Sequence, residues 1–130
     1  MIEIKEKLYR AVKRSKPDTL NDKNKATSAL FKGEKGISVD RDMGRAETEV
    51  LDALKKHFKE RCKAIVTFPA RECKDNGILI VPTPSQGNVF HAELYDGEER
   101  NELTSVQCLI LADISKTVYY NNEIHWTNAS

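Results

Sequence analysis

A chain of 130 residues, 39% apolar and 32% charged, is long enough for one domain with its own core and too well patterned for general disorder. No apolar run approaches the roughly 18 residues that a membrane-spanning helix needs, and the acids inside MIEIKEKLYR argue against a signal peptide. The formal charge of +1 gives no overall field for nucleic acid, but it is unevenly spread. Residues 1–65 carry 17 Lys/Arg against 11 Asp/Glu, and residues 66–130 carry 4 against 9, an asymmetry that favours an acidic partner or contact between the two halves.

Met1–Lys13 reads as a strand with a frayed start. Ile2, Ile4 and Leu8 share one parity, Tyr9 and Ala11 the other. Lys13–Ser28 is a long polar loop, and loops of that length are functional or mobile. Ser28–Phe31 predicts one helical turn before Gly33, and Ile37–Arg41 a second strand. Ala46–Arg61 is the clearest helix. Val50, Leu54 and Phe58 recur at helical spacing, with Glu47 and Glu49 in the first turn and Lys55, Lys56, Lys59 and Arg61 in the last, as the helix dipole favours.

Lys63–Phe68 and Ile78–Pro82 read as continuous apolar strands. Between them lies a short helix, Ala70–Asn76, with Pro69 in its first turn and Gly77 at its end. This alternation predicts a partly parallel sheet. In Val89–Tyr95, residues Val89, His91, Glu93 and Tyr95 face one way and Phe90, Ala92 and Leu94 the other, with a turn at Asp96-Gly97. Val106–Ile114 is too long for a typical strand, and Thr104 with Gln107 matches a capping box, so a buried helix is predicted. The expected fold is α+β: a single domain over 1–118, a small mixed β-sheet with about three helices packed on it, and a tail at 119–130 docked through Trp126.

The standard phosphate cradles, HExxH, EF-hand and GxSxG motifs are absent. Three widely spaced cysteines, Cys62, Cys73 and Cys108, read as free buried thiols in a reducing cytoplasm. With no metal-ligand spacing among His57, His91 and His125, no metal or cofactor is implied. The chemistry rests instead on scattered strand residues. His91 and Glu93 share a face about 7 Å apart, as a solvated pair or as the lining of a cleft. Arg10 sits at the parity of Leu8 and Val12, so it needs an anion: a structural partner, Asp40 or Glu93, or a bound ligand. Ser38 and Asp40 share the face opposite Ile37 and Val39, and Arg41 ends that strand. Ser28 and Phe31 are either a local turn packed on the core or the cover of a groove. Lys5, Lys7, Lys13, Arg14, Lys16, Lys23 and Lys25 read as a solvated basic stretch. They lack the aromatic platform that RNA-binding domains display, which argues against nucleic acid.

In motif order, LYRAV, SALF, GISVDRD, a helix and then NVFHAEL, the chain resembles a group of small uncharacterised bacterial intracellular proteins. The resemblance covers most of Leu8–Val118. It implies a bacterial cytoplasmic source, no particular activity, and attention to Arg10, Ser28, Phe31, Ser38, Asp40, Arg41 and His91. Arg10, Ser38 and Glu93 also resemble the three strand positions of a minimal ADP-ribosyltransferase, in a chain short for that fold. Two function classes follow. One is a binding or accessory protein with a protein partner or a second copy of itself, taking a ligand at Arg10, Ser28, Ser38 and Arg41. The other is a small enzyme for a nucleotide or other anionic substrate, with Arg10 as clamp, His91 as general acid or base, and Asp40 or Glu93 to orient it.

Overall fold

The computed structural model describes residues 2 and 5–121. The chain builds β1 (Lys7–Lys13), β2 (Ile37–Arg41), α1 (Glu47–Phe58), β3 (Cys62–Pro69), α2 (Ala70–Asp75), β4 (Ile78–Pro82), β5 (His91–Asp96), α3 (Ser105–Ile114) and β6 (Lys116–Tyr120). Single 3₁₀ turns lie at Pro17–Thr19, Ser28–Phe31 and Lys59–Arg61. Among the described residues the fold is α+β, with six strands in one sheet ordered β4-β5-β2-β1-β3-β6.

Every strand pair is antiparallel, which corrects the expectation of a partly parallel arrangement. The reason is topological. Each of the three α-helices joins strands that run in the same direction, as parallel crossovers do. But β1 fills the space between β2 and β3, and β5, β2 and β1 all lie between β4 and β3. Sequence order gives the direction of each crossover and is blind to what is inserted inside it.

Parity assigns the two faces. Leu8, Val12, Ile37, Val39, Val66, Phe68, Ile78, Ile80, Ala92 and Leu94 join one buried cluster with Cys73, Cys108, Leu111 and the turn residues Leu30 and Phe31. Tyr9 and Ile65 face the other way, against Val50 and Leu54 of α1. The helices α2 and α3 therefore cover one face, and α1 covers the β1-β3 part of the opposite face. On that opposite face, among the described residues, no helix covers Ser38, Glu93 and Tyr95 of β2 and β5.

Local chemistry sets the ends of these elements. The Thr104 side chain accepts from Gln107 N–H (3.1 Å) while Gln107 Oε1 accepts from Thr104 N–H (2.9 Å), closing the expected capping box of α3. At the other end Lys25 Nζ donates to the carbonyls of Ala112, Asp113 and Ser115 at 2.8–3.0 Å, which satisfies the last turn and ties the long loop down. Gly36 has φ +84°, and a Cβ there would lie 2.8 Å from Tyr95 Oη, so both backbone and space require glycine.

The strand predicted from Val89 begins at His91, because Asn88 and Phe90 are held in a turn by the Asn88 side chain. The sheet also gains β6, which extends to Tyr120. Residues 122–130, including Trp126, lie outside the described residues. Among the described residues no helix is long and apolar enough to cross a membrane.

Candidate functional site

The site begins where the sheet opens. β1 and β2 pair only at Leu8↔Arg41 and Tyr9↔Asp40. Continued in that register, Ala11 would meet Ser38, but the strands separate. The Arg10 guanidinium enters the gap, where Nη1 donates to the Ser38 carbonyl (2.7 Å) and Nε to the Leu30 carbonyl of the Ser28–Phe31 turn (2.9 Å). A side chain on the parity of the main core thus enters the split between two strands, where it meets Leu30 of its own face and the Ser38 carbonyl of the neighbouring strand.

A cleft of about 610 Å³ lies over this split. Its walls come from β1, β2, α1, the long β1–β2 connection and the loop 86–90. Five cationic side chains line it, Arg10, Lys13, Lys16, Lys32 and Arg45, against two carboxylates, Glu34 and Asp40. Among the described residues none of the five lies in a salt bridge. Burial pulls the Arg10 guanidinium below its usual pKa, and only the charge of Glu34 opposes that pull. A guanidinium stays protonated in proteins, so the shift describes a desolvated cation that a nearby anion would stabilise.

Arg45 is fixed differently. Its guanidinium lies 3.4 Å from the centroid of the Phe90 ring, and it donates to the carbonyls of Arg41 (2.7 Å) and Asp42 (3.1 Å). Burial lowers its pKa, and the nearby carboxylate of Asp40 leads the opposing effects. Asp42 Oδ1 is buried without a hydrogen-bond partner, with the Arg45 charge nearby. Asp40 is 8% exposed, and its Oδ1 accepts from Asn88 Nδ2 at 3.0 Å. His91 stands opposite Asp40 across the β2–β5 ladder, with Nδ1 at 2.7 Å from the Thr83 hydroxyl. The Tyr9 hydroxyl donates to Glu47 at 2.9 Å. Its pKa is pushed up to about 12, first by burial and then by that carboxylate, so it is a donor at neutral pH.

Four of the residues singled out by sequence, Arg10, Ser38, Asp40 and His91, line this one cleft. The others do not join them. Glu93 accepts from the Tyr95 hydroxyl at 2.8 Å and lies off the cleft, so Arg10, Ser38 and Glu93 do not converge there as a transferase triplet. Arg41 is withdrawn into a buried ion pair with Glu6 at 2.9 Å, on the face covered by α2 and α3. Its parity, discounted at the strand end, in fact decides its role. Ser28 stays off the cleft. Phe31 is wholly buried, edge-on to Phe68 with ring centroids 5.7 Å apart, and so belongs to the core.

The structural partner expected for Arg10, Asp40 or Glu93, is replaced by two carbonyls. Of the basic stretch read as solvated, Lys13 and Lys16 reach the cleft and Lys25 caps α3, while Arg14 donates to the carbonyls of Glu60 and Asn121. Arg45, Lys32 and Asn88 escaped the sequence reading. They stand in loops or just before a turn, where no periodicity reports direction. The chain matches no protein-family model, no curated protein and no solved structure. Among the described residues no three His, Cys, Asp or Glu side chains gather as a metal-holding group.

Proposed function

We propose that the protein binds a small anionic ligand in the cleft over the β1–β2 split, as a binding or accessory protein rather than as a catalyst. One observation carries this reading: five cationic side chains share one cleft with two carboxylates, and none of the five is ion-paired among the described residues. An excess of cations over carboxylates in a concavity, with none of the cations in a salt bridge, favours an anion from solution. Small-molecule sites typically span about 300–1,000 Å³, and this cleft falls in that range. The bacterial cytoplasmic setting belongs to the same proposal, and the three free, buried cysteines suit it.

A second reading, a small enzyme on an anionic substrate, draws on the Thr83–His91 contact. When Nδ1–H donates to the threonine oxygen, the Nε2 lone pair is left free and can act as a general base. No activated nucleophile accompanies it, so binding remains the better-supported function.

A thermal-shift panel of nucleotides, phosphates and carboxylates tests the reading. A ligand at about 100 times its Kd stabilises by roughly 2.7 kcal/mol, a rise of roughly 10 °C for a domain of this size. Polyanions should raise Tm and their neutral analogues should not. A panel in which no anion shifts Tm counts against the cleft as a binding site.

A further inference from the structure

The direction of the main chain at the split identifies which chemical group the cleft receives. The Lys7 carbonyl accepts from Asp42 N–H, so odd-numbered residues of β1 turn their main-chain groups toward β2. The Glu6 carbonyl accepts from Ala70 and Arg14 N–H donates to Arg61, so even-numbered residues turn toward β3 and α2. On β2, Arg41 N–H donates to the Phe90 carbonyl, so residues 37, 39 and 41 face β5, while 38 and 40 face β1.

Ala11 and Ser38 therefore direct their N–H groups into the gap from opposite sides. They are the pair the ladder would have joined next after Tyr9↔Asp40. Ser38 is exposed and Ala11 half-buried, so these main-chain donors are open to a ligand in the cleft. Here the ladder that would pair them stops short, and the Ser38 carbonyl has been given to Arg10.

Arg10 adds further donors between the two strands. A guanidinium carries five N–H groups, and the carbonyls of Leu30 and Ser38 take two of them. Besides the Ala11 carbonyl, which faces the gap too, donors point into it from β1, from β2 and from the Arg10 side chain. A carboxylate offers two oxygens in one plane. A phosphoryl group offers three oxygens arranged as a tetrahedron, which suits three non-coplanar donors, and backbone N–H groups are established phosphate partners.

We infer that the strand split is a phosphoryl seat: a terminal phosphate of the ligand lies between β1 and β2, held by the Ala11 and Ser38 N–H groups and by Arg10. Lys13, Lys16 and Lys32 on the rim take the remaining negative charge, so the ligand class is a phosphate ester or pyrophosphate. This inference rests on the anion-binding reading of the cleft and specifies which groups do the binding.

The test is an ¹⁵N–¹H titration of the full chain with inorganic pyrophosphate, with succinate as the carboxylate arm. The Ala11 and Ser38 amide resonances should move and saturate together with pyrophosphate, and succinate should bind more weakly by at least about tenfold, the loss of roughly one charged hydrogen bond. The variant Ala11→Pro deletes one donor without changing charge. Because that N–H faces the gap, it is not needed by the β1–β3 ladder. Folded Ala11→Pro should bind pyrophosphate about fivefold to tenfold more weakly. Should that variant fail to fold, the wild-type amide shifts decide. Saturable pyrophosphate binding that leaves the Ala11 and Ser38 amides unmoved, or equal affinity for succinate, overturns the phosphoryl seat while leaving the cleft an anion site. No binding of either anion overturns the cleft reading itself.

Discussion

Arg41→Met is expected to destabilise the fold by about 3–5 kcal/mol, the range for removing one partner of a buried ion pair. Arg41 lies on β2 opposite Leu8, on the face covered by α2 and α3, and donates to Glu6 Oε1 through Nε (3.2 Å) and Nη2 (2.9 Å). The two side chains are 9% and 7% exposed. Removing the guanidinium takes away the charged partner of a buried carboxylate, and the desolvation of that carboxylate is the source of the loss. Glu6→Leu combined with Arg41→Met should recover part of it, because the buried carboxylate is removed together with its guanidinium. Urea unfolding of the three variants measures this. A single-variant loss below about 1 kcal/mol, the size of an exposed pair, would mean that the pair is solvated.

The second large effect is expected at Phe31→Ala, about 3–5 kcal/mol for a buried aromatic truncated in a core. Phe31 is fully buried, its ring meets Phe68 at 82° between planes, and its carbonyl accepts from Cys108 Sγ of α3 at 3.2 Å. The ring is what fastens the Ser28–Phe31 turn to the core. Its neighbour Leu30 supplies the carbonyl that holds Arg10 Nε. The truncation should therefore act twice, lowering stability and, in the fraction that stays folded, weakening anion affinity. Guanidinium unfolding read beside a binding isotherm separates the two. Lower stability with unaltered affinity would show that the turn does not position Arg10.

Most strand boundaries, α1, and the capping box of α3 were legible in the sequence, because periodicity and caps are local properties. Sheet order was not. The three crossover helices join strands of like direction, and nothing in the alternation of strand and helix reveals that β1 is interposed between β2 and β3. For the site, parity correctly grouped Ser38 with Asp40 and His91 with Glu93, since each pair lies on one face. It placed Arg10 with Leu8 and Val12, which holds for the strand but misses its destination, because a long side chain at the point where two strands part can enter the gap between them. Lys32 and Arg45 come from connections, and Asn88 from a turn, so their convergence depends on tertiary structure alone.

The thiols were read as free and buried, and burial raises all three, with Cys73 pushed up to about 12. At neutral pH they remain protonated and chemically quiet. On the proposed reading the anion binds in the cleft that Arg10 helps to line.

The most direct measurement is an isothermal titration of pyrophosphate into the wild-type chain and into Arg10→Met, each first verified as folded. The account predicts a saturable isotherm for the wild type and an affinity at least about tenfold weaker for the variant, the value of one charge-assisted contact. Equal affinity in the two proteins would contradict it, because the guanidinium bridging the parted strands would then play no part in holding an anion.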